Sequence, residues 1–293
     1  MTYQEPARGQ PVPHRTPARG VRVVLGAFCA LTAAGFTALF ALSGQTDETF
    51  AWTIQPPATA AFLGAGYGAG FVLSVLALRS ADWAQVRVPY LTVLTFTWLT
   101  TIATALHADR LHMVTPGNGP LAAPAAWFWV AVYVVVPVAM LVTVLRPTDG
   151  RAPAGDVSAS ATAVPFPRWL AAMLGVIGVL LLGVGTALYL APSTAGALWP
   201  WALTPFTSRA VAAWLIAFGV AVALCLRDGD LARLRVATAA ASVFAALQLV
   251  TVVRFADEVD GSASMAVYVL TMVCLGIAGL TGWALGRPTA ARR

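Results

Sequence analysis

The side chains best placed to do chemistry fall on one face of one segment. On a helix advancing 100° per residue, Thr97, Thr100, Thr104 and His107 lie within about 80° of each other. Asp109, Arg110 and His112 continue the series just beyond His107. A second stretch of the chain carries Gln248, Thr251, Arg254 and Asp257 in the corresponding places. Hydroxyl, imidazole, carboxylate and guanidinium groups together at a helix end offer donors and acceptors to a small hydrophilic solute. The same threonines can instead bond to carbonyls one turn back and serve only helix packing.

Other chemistry is harder to support. His107 and His112 flank Asp109, but zinc takes about four ligands in a tetrahedron and the second stretch has neither histidine. Cys29, Cys225 and Cys274 fall in or near apolar runs, form no CxxC pair and read as packing thiols. HExxH, GxSxG, a Walker-type loop and a Cys–haem motif are all missing, so no catalytic residue, cofactor or metal is assigned.

Arg209 is the least expected charge. It falls in the first turns of an apolar segment, where the matching residue of the first stretch is Ala61. An unpaired Arg at the centre of a membrane helix costs about 2.5–3.5 kcal/mol on insertion scales, and less near an interface. It should therefore turn inward to Asp109, Asp257 or Glu258, with Arg254 pairing locally to Asp257. Thr104, His107, Asp109, Arg209, Arg254 and Asp257 then form a candidate polar site at the floor of an outer vestibule.

These residues are positioned by a duplication. Shifted by 148 positions, Phe50–Asp109 overlays Leu198–Asp257 without a gap, with about fifteen identities. The shift pairs Pro57 with Pro205, Thr59 with Thr207, Arg79 with Arg227, Asp82 with Asp230, Arg87 with Arg235, and Phe96 with Phe244. Ala131–Val134 recurs as Ala266–Val269 at a shift of 135.

Composition says what is duplicated. Hydrophobic residues make up 59% of the chain and charged ones 10%, where a soluble domain is about one quarter charged. Eight apolar runs, near 22–42, 56–78, 88–107, 125–145, 169–190, 205–226, 236–255 and 263–285, are each long enough for a helix to cross a membrane. The expected fold is all-α, with eight transmembrane helices in two tandem four-helix repeats, 22–145 and 169–285. Four helices per repeat give both halves one orientation and a pseudo-two-fold axis along the membrane normal. Residues 1–21 read as a disordered tail, 146–168 as a Pro-rich linker and 286–293 as a short C-terminal tail. The first run is too long for a signal-peptide core and should be retained.

All eighteen basic residues are Arg. Fifteen of them lie on the side of the tails, linker and short loops at 79–87 and 227–235. That bias puts both termini in the cytoplasm of a bacterial inner membrane and explains the net charge of +6 without a nucleic-acid partner. Asp82 and Asp230 can bridge to neighbouring Arg and fix their turns, or receive a cytoplasmic partner. On the other side Trp52, Trp199 and Trp201 suit an aromatic belt, and Pro57 and Pro205 suit first helical turns. Gly64/Gly68 and Gly66/Gly70 are overlapping small-xxx-small spacings for close helix packing in the first repeat alone.

The run Trp52-Thr53-Ile54-Gln55-Pro56-Pro57, followed by the Gly-rich helix to Gly70, resembles uncharacterised multipass membrane proteins of actinobacteria. The resemblance implies location and topology and carries over no activity or functional residue. Two function classes remain. One is a non-enzymatic membrane component, accessory to a protein partner or homo-oligomer, or organising the envelope. The other is a permease or small-solute binding protein with an outward polar site between the repeats. A water-accessible polar cavity reaching mid-membrane would mark the second, and a dry packed interface the first.

Overall fold

The computed structural model describes residues 19–80, 83–113, 119–145, 164–258 and 261–287. Among these residues, eight helices are long and apolar enough to cross a membrane, as a multi-pass membrane protein requires: α1 (Arg19–Phe36, continued by a π-turn over Thr37–Ala41), α3 (Pro57–Arg79), α4 (Trp83–Leu106), α5 (Ala122–Leu145), α6 (Arg168–Leu190), α8 (Pro205–Asp228), α9 (Arg235–Arg254) and α10 (Ala263–Leu285). Two short helices, α2 (Thr46–Thr49) and α7 (Pro192–Gly196), precede α3 and α8. We call the end of the bundle holding α2 and α7 distal, and the end where α1 begins and α10 finishes proximal.

In lipid, helices gain little from apolarity itself and associate through close packing and hydrogen bonds. The most intimate pairs are α6 with α8, α9 with α10, α1 with α3, α4 with α8, and α3 with α9. The helices α3, α4, α8 and α9 therefore form the centre, with α1, α5, α6 and α10 outside. Burial follows for three of the four: 67%, 50% and 56% of the α3, α4 and α8 spans are enclosed by protein, against 22% for α1 and for α5, while α9 at 33% matches outer α6.

The glycines of α3 decide how near its neighbours come. A Cβ on Gly64 would overlap the backbone of Leu39 and Phe40, so here helix backbones do meet. Gly66 admits something different, since its absent Cβ leaves room for the Trp214 ring at 2.6 Å. Gly68 likewise admits Leu247 and Phe36. The small-residue spacing thus serves side-chain insertion as well as backbone approach.

Helix starts are capped in two ways. Thr204 and Thr207 form a capping box at α8. At α3 the N-cap is Pro56, which has no side-chain donor or acceptor, and the Ala58 amide donates to Glu258 Oε2 at 3.0 Å. Proximally, Asp230 accepts from the Val164 and Ala232 amides at 3.1 and 3.0 Å and pairs with Arg233 at 3.1 Å. That acid does fix its turn through a neighbouring Arg. Arg87 pairs with Asp228, tying α4 to the end of α8.

Several expectations fall outside the described residues: the tail over 1–18, Asp82, the linker over 146–163 and the C-terminal 288–293. Residues 19–21, expected in the tail, already belong to α1. The aromatic belt needs correction. Trp52 and Trp201 are 2% and 5% exposed and lie inside the protein. Tertiary contacts claim them, as described next.

Candidate functional site

The chemistry-bearing residues gather at the distal end, where α4 finishes and α8 begins. α4 presents Thr97, Thr100 and Thr104 inward, all buried. Thr97 donates to the Leu94 carbonyl, the packing role open to a helical threonine. Thr104 accepts from Trp129 Nε1 of α5 at 3.0 Å. Trp129 packs edge-on against Trp52, and Trp52 lies against Phe206 of α8, tilted by 32° at 4.4 Å between ring centroids. Phe206 in turn stacks with His107 at 5.0 Å and 23°. His107 Nε2 accepts from Arg209 Nη1 at 2.7 Å. A continuous chain thus runs from Thr104 through three aromatic rings to His107 and Arg209, linking α5, α4 and α8.

The Arg209–His107 bond dictates a protonation state. A guanidinium only donates, so Nε2 must hold its lone pair and the ring proton sits on Nδ1. His107 is accordingly pushed below the usual imidazole range. Burial is the first cause and the Arg209 charge the second, with Asp109 opposing and Arg110 adding slightly. Burial disfavours the imidazolium, and a cation at hydrogen-bond distance disfavours it further.

Arg209 does turn toward the bundle, but it meets an imidazole rather than Asp109, Asp257 or Glu258. The reason is geometric. Asp109 lies past the end of α4 in a one-turn 3₁₀ segment and pairs with Arg110 at 3.1 Å, both about 70% exposed. Asp257 is exposed on the turn after α9. Arg254 does not pair with Asp257 either. It donates to the Phe40 and Ala41 carbonyls at 2.5 and 3.5 Å, capping the open end of the first spanning helix. Of six proposed residues, the structure therefore joins Thr104, His107 and Arg209 through shared neighbours and leaves Asp109, Arg254 and Asp257 apart.

A second distal cluster sits across the seam. Trp201 Nε1 donates to Thr59 Oγ1 at 2.9 Å, and Trp199 and Trp201 both pack on Phe62. Gln248 of α9, fully buried, donates to the Phe62 carbonyl at 3.0 Å and accepts from the Tyr268 hydroxyl at 2.8 Å. His112 donates from Nδ1 to the Phe50 carbonyl at 3.0 Å and faces Thr53 Oγ1 at 3.1 Å through Nε2. Both its ring nitrogens are spent holding the loop that carries Trp52. Sequence reasoning missed these roles for Trp201, Gln248, His112 and Glu258. Gln248 alone gave a signal, as a bulky amide in an otherwise apolar run.

Beneath both clusters the centre is aromatic. Phe96 stacks on Trp214 at 3.8 Å and 26°, Trp214 on Phe218 at 5.5 Å, and Phe218 meets Phe244 at 4.5 Å. Small apolar cavities of about 70 and 60 Å³ flank this stack, one among α6, α8, α9 and α10 and the other among α1, α3, α4 and α5. Among the described residues, no three His, Cys, Asp or Glu side chains gather closely enough to hold a metal ion. What the distal groups can do chemically is hold helix ends together, through the Trp129–Thr104, Arg209–His107 and Trp201–Thr59 bonds, while the indole N–H groups of Trp52 and Trp199 are buried without a partner among the described residues. No protein-family model, curated protein or solved structure matches the chain.

Proposed function

We propose that this chain is a non-enzymatic component of a bacterial plasma membrane, made of two fused four-helix repeats with both termini cytoplasmic. Its role is accessory to a partner or concerned with envelope organisation. The observation that carries the reading is the seam itself: Phe96, Trp214, Phe218 and Phe244 fill the level where a permeation path would need polar or hydrated groups. Above it, two bonds cross the seam, Trp201 to Thr59 and Arg209 to His107.

The helix pairings support the repeat. Exchanging α1, α3, α4 and α5 for α6, α8, α9 and α10 turns α1–α3 into α6–α8, α4–α5 into α9–α10, and α4–α8 into α9–α3, all of them close pairs. Gly66 and Trp214, which are 148 positions apart, touch each other. Residues close to a two-fold axis meet their own counterparts in this way. The Arg bias of the proximal loops supports cytoplasmic termini.

The test is cysteine accessibility in a variant lacking Cys29, Cys225 and Cys274. Cysteines at the fully buried Ala103, Ala213 and Ala217 should resist an impermeant thiol reagent from both sides of the membrane. Cysteine at the exposed Asp47 should label on intact cells, and cysteine at the exposed Arg227 only after the cells are opened. Labelling of the buried set would favour the permease reading instead, and labelling of Arg227→Cys on intact cells would reverse the orientation.

A further inference from the structure

A pocket of about 310 Å³ opens on the flank of the second repeat, between α6 and α10. Its walls include Leu181, Val184, Leu215, Val267 and Tyr268, and Trp199 lines its distal end. On its lip Val267 is 51% uncovered by protein, and Val184 and Leu198 are exposed beside it. This lip belongs to the outward flank of two membrane-spanning helices, so hydrocarbon is what lies against it.

In the first repeat the equivalent place is filled by a side chain, and the duplication shows which one. The match of α5 with α10 at a shift of 135 pairs Tyr133 with Tyr268 and, extended by two positions, Trp129 with Ser264. Trp129 is a buried ring packed on Phe50, Trp52 and Tyr133, the last at 4.2 Å. At the equivalent place Ser264 turns its hydroxyl to Ser262 at 2.7 Å and leaves the volume of an indole unfilled beside Tyr268. One more substitution enlarges it: Leu215 stands where the first repeat has Tyr67, whose hydroxyl bonds to Tyr133 at 2.6 Å.

Depth identifies the occupant. The pocket covers the first ten residues of α10, Ala263 to Met272, and the facing stretch of α6 around Leu180–Val184. At 1.5 Å per residue that is roughly the distal 15 Å of the span. Half of a bilayer core about 30 Å thick is the same distance, so the pocket matches one leaflet. A void this large and apolar stays unfilled by water. We propose that it is a binding site for one acyl chain of a lipid in the distal leaflet, taking the place that Trp129 fills from within in the first repeat. The recognised chemistry is a flexible saturated or unsaturated hydrocarbon chain, with the headgroup left at the surface beside Trp199. The proposal uses the repeat reading only to equate Ser264 with Trp129, Tyr268 with Tyr133 and Leu215 with Tyr67.

The experiment uses the full chain in vesicles of phosphatidylglycerol and phosphatidylethanolamine doped with a phosphatidylcholine bearing a diazirine in its acyl chain. After illumination, cross-linked peptides are mapped by mass spectrometry. Labelling should concentrate on 180–184 and 263–272, at least fivefold above the other lipid-facing helices. Ser264→Trp, which installs the first-repeat ring, should remove that excess and leave labelling elsewhere unchanged. Should that variant not fold, Val267→Trp at the lip should lower the same labelling by blocking entry. Even labelling of all outer helices, an excess that both variants retain, or a cross-linked second copy of the chain on this flank would overturn the proposal. None of these readouts depends on whether the seam is dry, so the functional reading stands or falls separately.

Discussion

Gly66 offers the sharpest test of how the central helices meet. In Gly66→Ala the new methyl would sit 2.6 Å from the Trp214 ring, where ordinary contact begins at 3.4 Å, so the indole must retreat by most of an ångström. It has little room. Phe96 stacks on it at 3.8 Å, Phe218 lies at 5.5 Å and Tyr67 meets it edge-on at 5.6 Å. Overpacking of this kind costs about 1–3 kcal/mol. Replacing Gly by Ala within a helix returns about 0.5–1 kcal/mol, so the net loss should lie between about 0 and 2.5 kcal/mol, and the loss relative to an unhindered Gly→Ala change should be the full penalty of about 1–3 kcal/mol. Gly183→Ala is the control, because a Cβ there meets nothing within 4 Å and only the helical gain remains. Trp214→Ala alone should cost about 3–5 kcal/mol as a large-to-small change in a core. In the double variant Gly66→Ala/Trp214→Ala the methyl enters vacated space and its penalty disappears. The two changes should then be non-additive by about 1–3 kcal/mol. The assay is reversible unfolding in mixed dodecyl maltoside and SDS micelles, followed by near-ultraviolet circular dichroism. Additivity within about 0.5 kcal/mol, or a Gly66→Ala protein as stable as Gly183→Ala, would refute the packing argument.

Two further outcomes are expected. Arg209→Ala removes a charged hydrogen bond between α4 and α8 and should lower stability by about 1.5–3 kcal/mol. Arg110→Ala breaks only an exposed pair and should stay within about 0.5 kcal/mol, so equal losses in the same unfolding assay would argue against the clasp. The pH dependence follows from His107. Its imidazole is held neutral in the folded protein and is therefore depressed below its unfolded value, so the unfolded chain takes up the proton first on acidification. The stabilisation from the Arg209 bond is full above about pH 6.5 and falls as the pH drops below it, levelling only under the folded value. Melting temperatures between pH 7.5 and 5 should show this fall in the parent and a flatter profile in His107→Gln; parallel profiles would count against the assigned tautomer.

Eight spans were legible because a run of about twenty apolar residues has few alternatives in lipid, where every backbone amide must be satisfied within its own helix. The observed ends agree closely, as at Pro205, Ala263 and Leu285, because proline, serine and charged residues mark where water begins. The inward turn of Arg209 was legible too, from the cost of leaving a cation in hydrocarbon. Its partner was not. A carboxylate is the expected answer on charge alone, but Asp109 sits exposed in the 3₁₀ turn and pairs with Arg110, while His107, the first residue after α4, faces Arg209.

By itself, then, the sequence determined the all-helical class of the molecule, the number of its spans and most of their limits, and the Arg asymmetry, and it carries the self-match on which the proposed repeat rests. Each is a local or additive property of composition along one chain. Tertiary structure decided which helices are central, that Trp52 and Trp201 enter the protein rather than a belt, and that Gly66 receives Trp214. It also decided that Ser264, unlike Trp129, leaves a pocket open. Hydropathy along a helix cannot distinguish lipid from another helix as the apolar neighbour, because the two are equally dry. Only the packing of one surface against another tells them apart.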